Sequence, residues 1–263
     1  MCPIDAHPLT KEVLNPSPSR KQARSKVTVP YPVFPDYKWS ARDAWKCLGM
    51  ILVFIFVLGF IIAISQFFGP HKWFETGFGY FIASILFFVT ALLTAAYFAR
   101  TKSLASFLAA FGLDRKPSNY VWFGIVAALA LRFITNFILT KHWMKGYATG
   151  DIIAFRHTIG NERYLYLVPL LLAAFFEEPV MRGFLYKAFR GSYSMATSIV
   201  LIVGITACTH WPQYYHSWPA VVCLSSLTVV QCYLREKSDS LWDCIFCHLV
   251  ANASGLFVSG LLR

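Results

Sequence analysis

Seven apolar runs constrain this chain more than any other feature: residues 47–68, 78–99, 120–140, 164–189, 194–210, 217–234 and 241–262. A helix needs about 20 mostly apolar residues to cross a bilayer core. Most of the runs reach that length, with 194–210 and 217–234 near the short limit. Lipid offers no partner to a backbone amide, so each run must satisfy its own hydrogen bonds as a helix. No strand-like alternation suggests a barrel, and no internal repeat stands out. Only 14% of residues are charged and 57% are hydrophobic. A soluble domain is about 25% charged, so this chain has too few ionic groups to clothe a water-facing surface. The expected fold class is all-α, a polytopic transmembrane bundle of seven or eight helices. A disordered chain, a disulfide-stapled mini-protein and a soluble enzyme do not fit.

Residues 1–46 read differently. Seven prolines interrupt this stretch, and Arg20, Lys21, Arg24 and Lys26 form a basic cluster. Its apolar content is too low for a core, and no hydrophobic stretch near the start resembles a signal peptide. The expectation is a disordered cytoplasmic tail at 1–46 that helps set orientation, with contact to a lipid surface or a partner as the alternative. The transmembrane domain then covers 47–263. With the N-terminus in the cytoplasm, the inside segments 1–46, 100–119, 187–193 and 235–240 hold 16 of the 24 Lys and Arg, and the outside segments hold 6. That bias supports a cytoplasmic N-terminus and accounts for the net charge of +11 without nucleic acid as a partner. The linker 141–163 is the weak point, because an eighth membrane segment there would move the C-terminus to the cytoplasm. Seven scattered cysteines give an odd number and no disulfide framework.

Ionisable groups inside apolar helices are costly, and they mark function by default. In AAFFEEPVMRGFLY, Glu177 and Glu178 are adjacent and Arg182 follows Glu178 by four. Residues i and i+4 share a helix face and can pair, whereas Glu177 is turned about 100° from Glu178. One carboxylate is then neutralised and the other stays free; the plainer reading is an ion network that only ties helices together. His210 closes the run IVLIVGITACTHWP, where Trp211-Pro212 is expected to end the helix near a membrane face. It reads either as a structural histidine or as a working one. His248 and Asn252 lie four apart in CIFCHLVANASG and could position a carbonyl or water, or act as interhelical glue. Arg132, with Asn136 four residues on, reads as a structural partner for a carboxylate or as a clamp for a substrate's C-terminal carboxylate. Glutamate can act as general base toward water, and histidine and asparagine can donate to an oxyanion. Together these groups describe amide hydrolysis inside the membrane.

Cys244-Ile-Phe-Cys247-His248 spells the haem c attachment pattern, but it lies within an apolar helix where haem has no exposed site. Zinc stays open, with His210, His248 and a glutamate as its ligands, although H-E-x-x-H is absent. A small ion transporter is a weaker rival, since no inverted repeat or pair of broken helices supports it.

The motif set is similar to that of the CPBP intramembrane proteases, the CAAX proteases and bacteriocin-processing enzymes that include the eukaryotic Ras-converting CAAX endopeptidase. Glu177-Glu178-x-x-x-Arg182-Gly183 resembles their EExxxR motif, and Phe184-Leu185-Tyr186 extends the likeness. Thr206 to His210 keeps the histidine of F-x-x-x-H but has Thr for Phe, and His248 with Asn252 matches H-x-x-x-N. The likeness covers about residues 164–257. It implies a glutamic-type endopeptidase without a cofactor, acting near the C-terminus of a peptide or prenylated protein or on a leader peptide. By that likeness Glu177 activates water, His210 assists binding or protonation, and His248 with Asn252 stabilises the oxyanion. Glu178 and Arg182 would pair to hold the helix. The Thr206 departure should loosen packing beside His210 and affect substrate fit more than chemistry. The likeness also implies a multi-pass protein of the plasma membrane among membrane lipids. A non-proteolytic scaffold or regulator on the same fold is the alternative.

Overall fold

The computed structural model describes residues 39–68, 77–140, 163–214 and 217–258. The basic tail before residue 39 and most of the linker at 141–163 lie outside these residues, and with them the questions of an eighth segment and of the side of the C-terminus. All regular structure among the described residues is helical: α1 (Ala41–Phe68), α2 (Gly77–Phe98), α3 (Leu104–Phe111), α4 (Tyr120–Thr140), α5 (Arg163–Glu178), α6 (Met195–Tyr214), α7 (Trp218–Ser238) and α8 (Leu241–Val258). α5 runs unbroken into a π-helical stretch (Pro179–Leu185) and a last α-helical turn (Tyr186–Arg190). This is the all-α membrane bundle expected from the sequence. Three helices among the described residues are long and apolar enough to cross a bilayer (41–64, 81–98 and 120–138), and 195–211 is a shorter apolar one. On α1, Leu52, Val53, Phe56, Phe60 and Ile61 are exposed, as side chains facing acyl tails should be.

α1 starts at Ala41, six residues before the first apolar run. The Asp43 carboxylate accepts from the Ser40 N–H at 2.9 Å and from its hydroxyl at 2.7 Å, which closes the N-terminus in the manner of a capping box. α6 runs on through Trp211-Pro212 to Tyr214, past the end expected from the sequence. A proline in the last turn forfeits one backbone bond without stopping the helix there.

α3 lies within 100–119, a segment that the sequence presents only as a connection between apolar runs. The Ser103–Ser106 capping box opens it, and Gly112, at φ +75°, closes it. Its final carbonyls are met by cations: Lys187 Nζ reaches Ala110 O at 3.4 Å, and Arg235 Nη2 donates to Phe111 O at 3.1 Å. Cations suit the negative end of a helix dipole. A Cβ on Gly112 would lie 2.7 Å from Asp239 O, so the α7–α8 turn packs directly on that glycine. Nearby, Arg190 Nη2 and Nε grip Glu236 at 2.8 and 3.1 Å, and the Tyr186 hydroxyl donates to the same carboxylate at 2.9 Å. The Ala41 N–H donates to Ser192 Oγ at 2.9 Å, and the Ser118 N–H to Asp243 at 2.9 Å. The start of α1, the α3 region, the end of the α5 rod and the α7–α8 turn therefore share one end of the bundle. α8 packs along α4 and touches α5 and α7. That three-sided seat fixes the site.

Candidate active site

Local chain chemistry prepares the site before any packing does. Pro179 follows the two glutamates and has no N–H to give the carbonyl of Phe175, four residues back. The backbone answers by widening to the π-helix that begins at Pro179, and the Tyr186 N–H donates to Met181 O, five residues back. Single-turn π segments of this kind are frequent at functional sites.

Glu178 faces the bundle interior and is fully buried. One of its oxygens, Oε1, collects three donors from three helices. Arg182 Nη1 lies at 3.0 Å, Gln231 Nε2 on α7 at 2.9 Å and His248 Nδ1 on α8 at 2.7 Å. Arg182 Nη2 also donates to Gln231 Oε1 at 2.6 Å. The glutamine thus donates a hydrogen bond to the carboxylate and accepts one from the guanidinium, closing a ring. With the carboxylate ionised, His248 must hold its hydrogen on Nδ1, and this fixes the tautomer. The second oxygen, Oε2, is buried without a hydrogen bond among the described residues. The α7–α8 contact is tied once more by Cys244 Sγ, 3.2 Å from Gln231 O.

Glu177 is half-buried, and no hydrogen bond or ion pair holds its carboxylate among the described residues. Two neighbouring carboxylates therefore differ sharply: one is buried and triply bonded, the other is uncommitted. Asn252 lies one helical turn beyond His248 and donates through Nδ2 to Leu170 O on α5 at 2.9 Å. A carboxamide has two N–H donors and one acceptor, so one N–H and the oxygen make no hydrogen bond among the described residues.

His210 is held by its own helix. Its Nδ1 lies 3.0 Å from Thr206 O and 3.2 Å from Thr209 Oγ1, and its ring stacks on Tyr214 with centroids 6.3 Å apart. Donation from Nδ1 to the carbonyl leaves Nε2 as an acceptor. No hydrogen bond links His210 to the Glu178 network among the described residues. Thr206, where the motif pattern has Phe, is buried. Among the described residues, no three His, Cys, Asp or Glu side chains gather as metal ligands do.

The structure therefore joins Glu178, Arg182 and His248 directly, sets Asn252 on the same face of α8, and leaves Glu177 and His210 outside the hydrogen-bonded ring. Sequence reading missed two things. Gln231 was one polar residue among several in the 217–234 run, with nothing to single it out. The bond from His248 to Glu178 joins α8 to α5, and no spacing within either helix announces it.

Residues 160–254 match the family model described as Rce1-like, type II CAAX prenyl endopeptidase. No curated protein and no solved structure matches the chain. The matched stretch reaches from just before α5 to Ser254 on α8, and so contains both glutamates, Arg182, His210, Gln231, His248 and Asn252. The likeness to the Rce1-like family model thus runs across both the Glu-Glu turn and the His-Asn helix.

Proposed function

We propose that the chain is an intramembrane endopeptidase that hydrolyses a peptide bond near the C-terminus of a prenylated protein, with water activated by Glu177. The observation that carries this reading is the contrast between the two adjacent glutamates. Glu178 is spent on Arg182, Gln231 and His248, while Glu177 beside it keeps a carboxylate with no hydrogen bond or ion pair among the described residues. A general base must be free to take a proton.

In this reading the Glu177 carboxylate takes a proton from water as the oxygen attacks the scissile carbonyl. The tetrahedral oxyanion is met by the spare N–H of Asn252 and by Nε2 of His248. Donation from Nε2 needs a hydrogen on both ring nitrogens, which is an imidazolium paired with the Glu178 carboxylate. His210, with Nδ1 tied to Thr206 O, has Nε2 free to take the proton that Glu177 drew from water and to pass it to the leaving amine as the C–N bond breaks, which returns both groups to their starting state. Arg182 and Gln231 are positioning residues, because they act through Glu178. Donors aimed at a developing oxyanion are worth about 10²–10³ in rate each.

Cleavage of an S-farnesylated CAAX peptide in liposomes tests the proposal. The Glu177→Ala chain should insert and melt as the parent does and yet release no product. Full activity in that variant would remove Glu177 from the mechanism.

A further inference from the structure

Arg132 lies on α4 inside a span long and apolar enough to cross a bilayer (120–138). It forms no ion pair or hydrogen bond among the described residues, and its Nε is buried without a partner. A guanidinium in such a place is expensive and marks a functional site by default. What holds it there is a missing side chain. A Cβ added to Gly255 on α8 would lie 2.6 Å from Arg132 Nη2 and 2.9 Å from Cζ, so the guanidinium lies directly across the α8 backbone at that glycine.

Gly255 shares a stripe of α8 with the site. His248, Asn252 and Gly255 stand at i, i+4 and i+7, which is one helix face. At 1.5 Å per residue, the guanidinium sits about 10 Å along the helix from His248 and about 5 Å from Asn252. α4 is held in register beside α8 at two further points. The Ser118 N–H donates to Asp243 at 2.9 Å, and a Cβ on Gly124 would lie 3.2 Å from Cys247 Cβ. The cation is therefore pinned relative to the oxyanion donors.

Resting on the endopeptidase reading above, we infer that Arg132 is the anchor for the free C-terminal carboxylate of the substrate. In a CAAX tail three residues follow the prenylated cysteine. An extended chain spans about 3.3–3.6 Å per residue, so a bond cut at the cysteine lies about 10–11 Å from the terminal carboxylate. That span matches the separation of His248 from Arg132 along α8. The anchor then acts as a ruler: it favours chains that end three residues past the scissile bond, and a guanidinium suits a carboxylate through paired N–H donors.

The test is binding to the full chain in phosphatidylcholine nanodiscs. The probes are two S-farnesylated Cys-Val-Leu-Ala peptides with a reduced, uncleavable bond after the cysteine, one ending in a carboxylate and one in a carboxamide. The parent should bind the carboxylate about ten- to a hundredfold more tightly, as charged hydrogen bonds do. Arg132→Gln should erase that preference and leave carboxamide binding unchanged, and Arg132→Lys should restore part of it. Gly255→Ala keeps the charge but displaces it, and should also narrow the preference. Equal binding of both peptides by the parent, or an equal loss for both in Arg132→Gln, overturns the anchor. Cleavage of the ordinary amide peptide by the parent is scored separately. Cleavage without carboxylate preference refutes Arg132 alone, whereas preference without cleavage refutes the endopeptidase reading and keeps the anchor.

Discussion

Replacing Arg182 with Met measures how strongly the buried ring is held together by charge. The guanidinium makes two buried bonds, to Glu178 at 3.0 Å and to Gln231 at 2.6 Å. Hydrogen bonds to charged groups contribute about 1.5–3 kcal/mol each. Breaking a buried ion pair by removing one partner costs about 3–5 kcal/mol, which agrees with two such bonds. Most of that cost is the Glu178 carboxylate, fully buried and left beside one remaining charge-matched donor group at His248 and one neutral amide. For a chain of this size about 1 kcal/mol shifts Tm by roughly 2–4 °C, so Arg182→Met should melt about 6–20 °C below the parent in detergent. The double variant Glu178→Gln with Arg182→Met removes the stranded charge, and should recover at least half of the loss. A single variant melting within about 2 °C of the parent would show that the ion pair contributes little. A double variant as weak as the single one would assign the loss to packing instead of charge.

Two further substitutions probe the same region. Gln231→Leu deletes a donor to Glu178 and an acceptor for Arg182, and should lower the melting temperature by roughly half as much as Arg182→Met while also lowering kcat, because the positions of Glu178 and His248 relax; unchanged melting and turnover would remove Gln231 from the ring. Gly183→Ala places a methyl group 2.6 Å from Phe111 Cδ1 in the core, and overpacking of that kind costs about 1–3 kcal/mol. Its melting temperature should fall by several degrees, and Phe111→Leu in the same chain should return part of the loss.

Much of the fold was legible because lipid leaves a chain so few options. The seven runs became seven long helices, and the described parts of the segments grouped as inside by their basic residues meet at one end of the bundle. At that end Lys187, Arg190 and Arg235 are engaged with helix ends and carboxylates. α3 was missed because eight residues are too few to announce a span, and its ends are set by Ser103 and Gly112, not by periodicity. The end of α6 was misjudged because a terminal proline removes one hydrogen bond and not the whole last turn. In the site, the Glu178–Arg182 contact was legible because i,i+4 spacing is a property of one helix. The Glu178–His248 and Gln231 contacts were not, because they join helices that no local rule relates.

Adjacent glutamates solve a problem that distant ones would not. The proposed mechanism uses one carboxylate held rigidly to orient a histidine, and another left free to accept a proton. Residues next to each other on a helix are turned about 100° apart, so a single rod can bury Glu178 in the bundle and leave Glu177 at the edge of it. Both are then positioned by the same backbone, and no second element has to be placed for the base. Pro179 sharpens this division. Its missing N–H releases the Phe175 carbonyl and shifts the next turn to π geometry, while Arg182 still lands within 3.0 Å of Glu178. In the proposed mechanism the Glu-Glu-Pro order therefore encodes a neutralised support and an available base in three consecutive residues, and the rest of the bundle needs only to bring His248, Gln231 and Asn252 against one side of that rod.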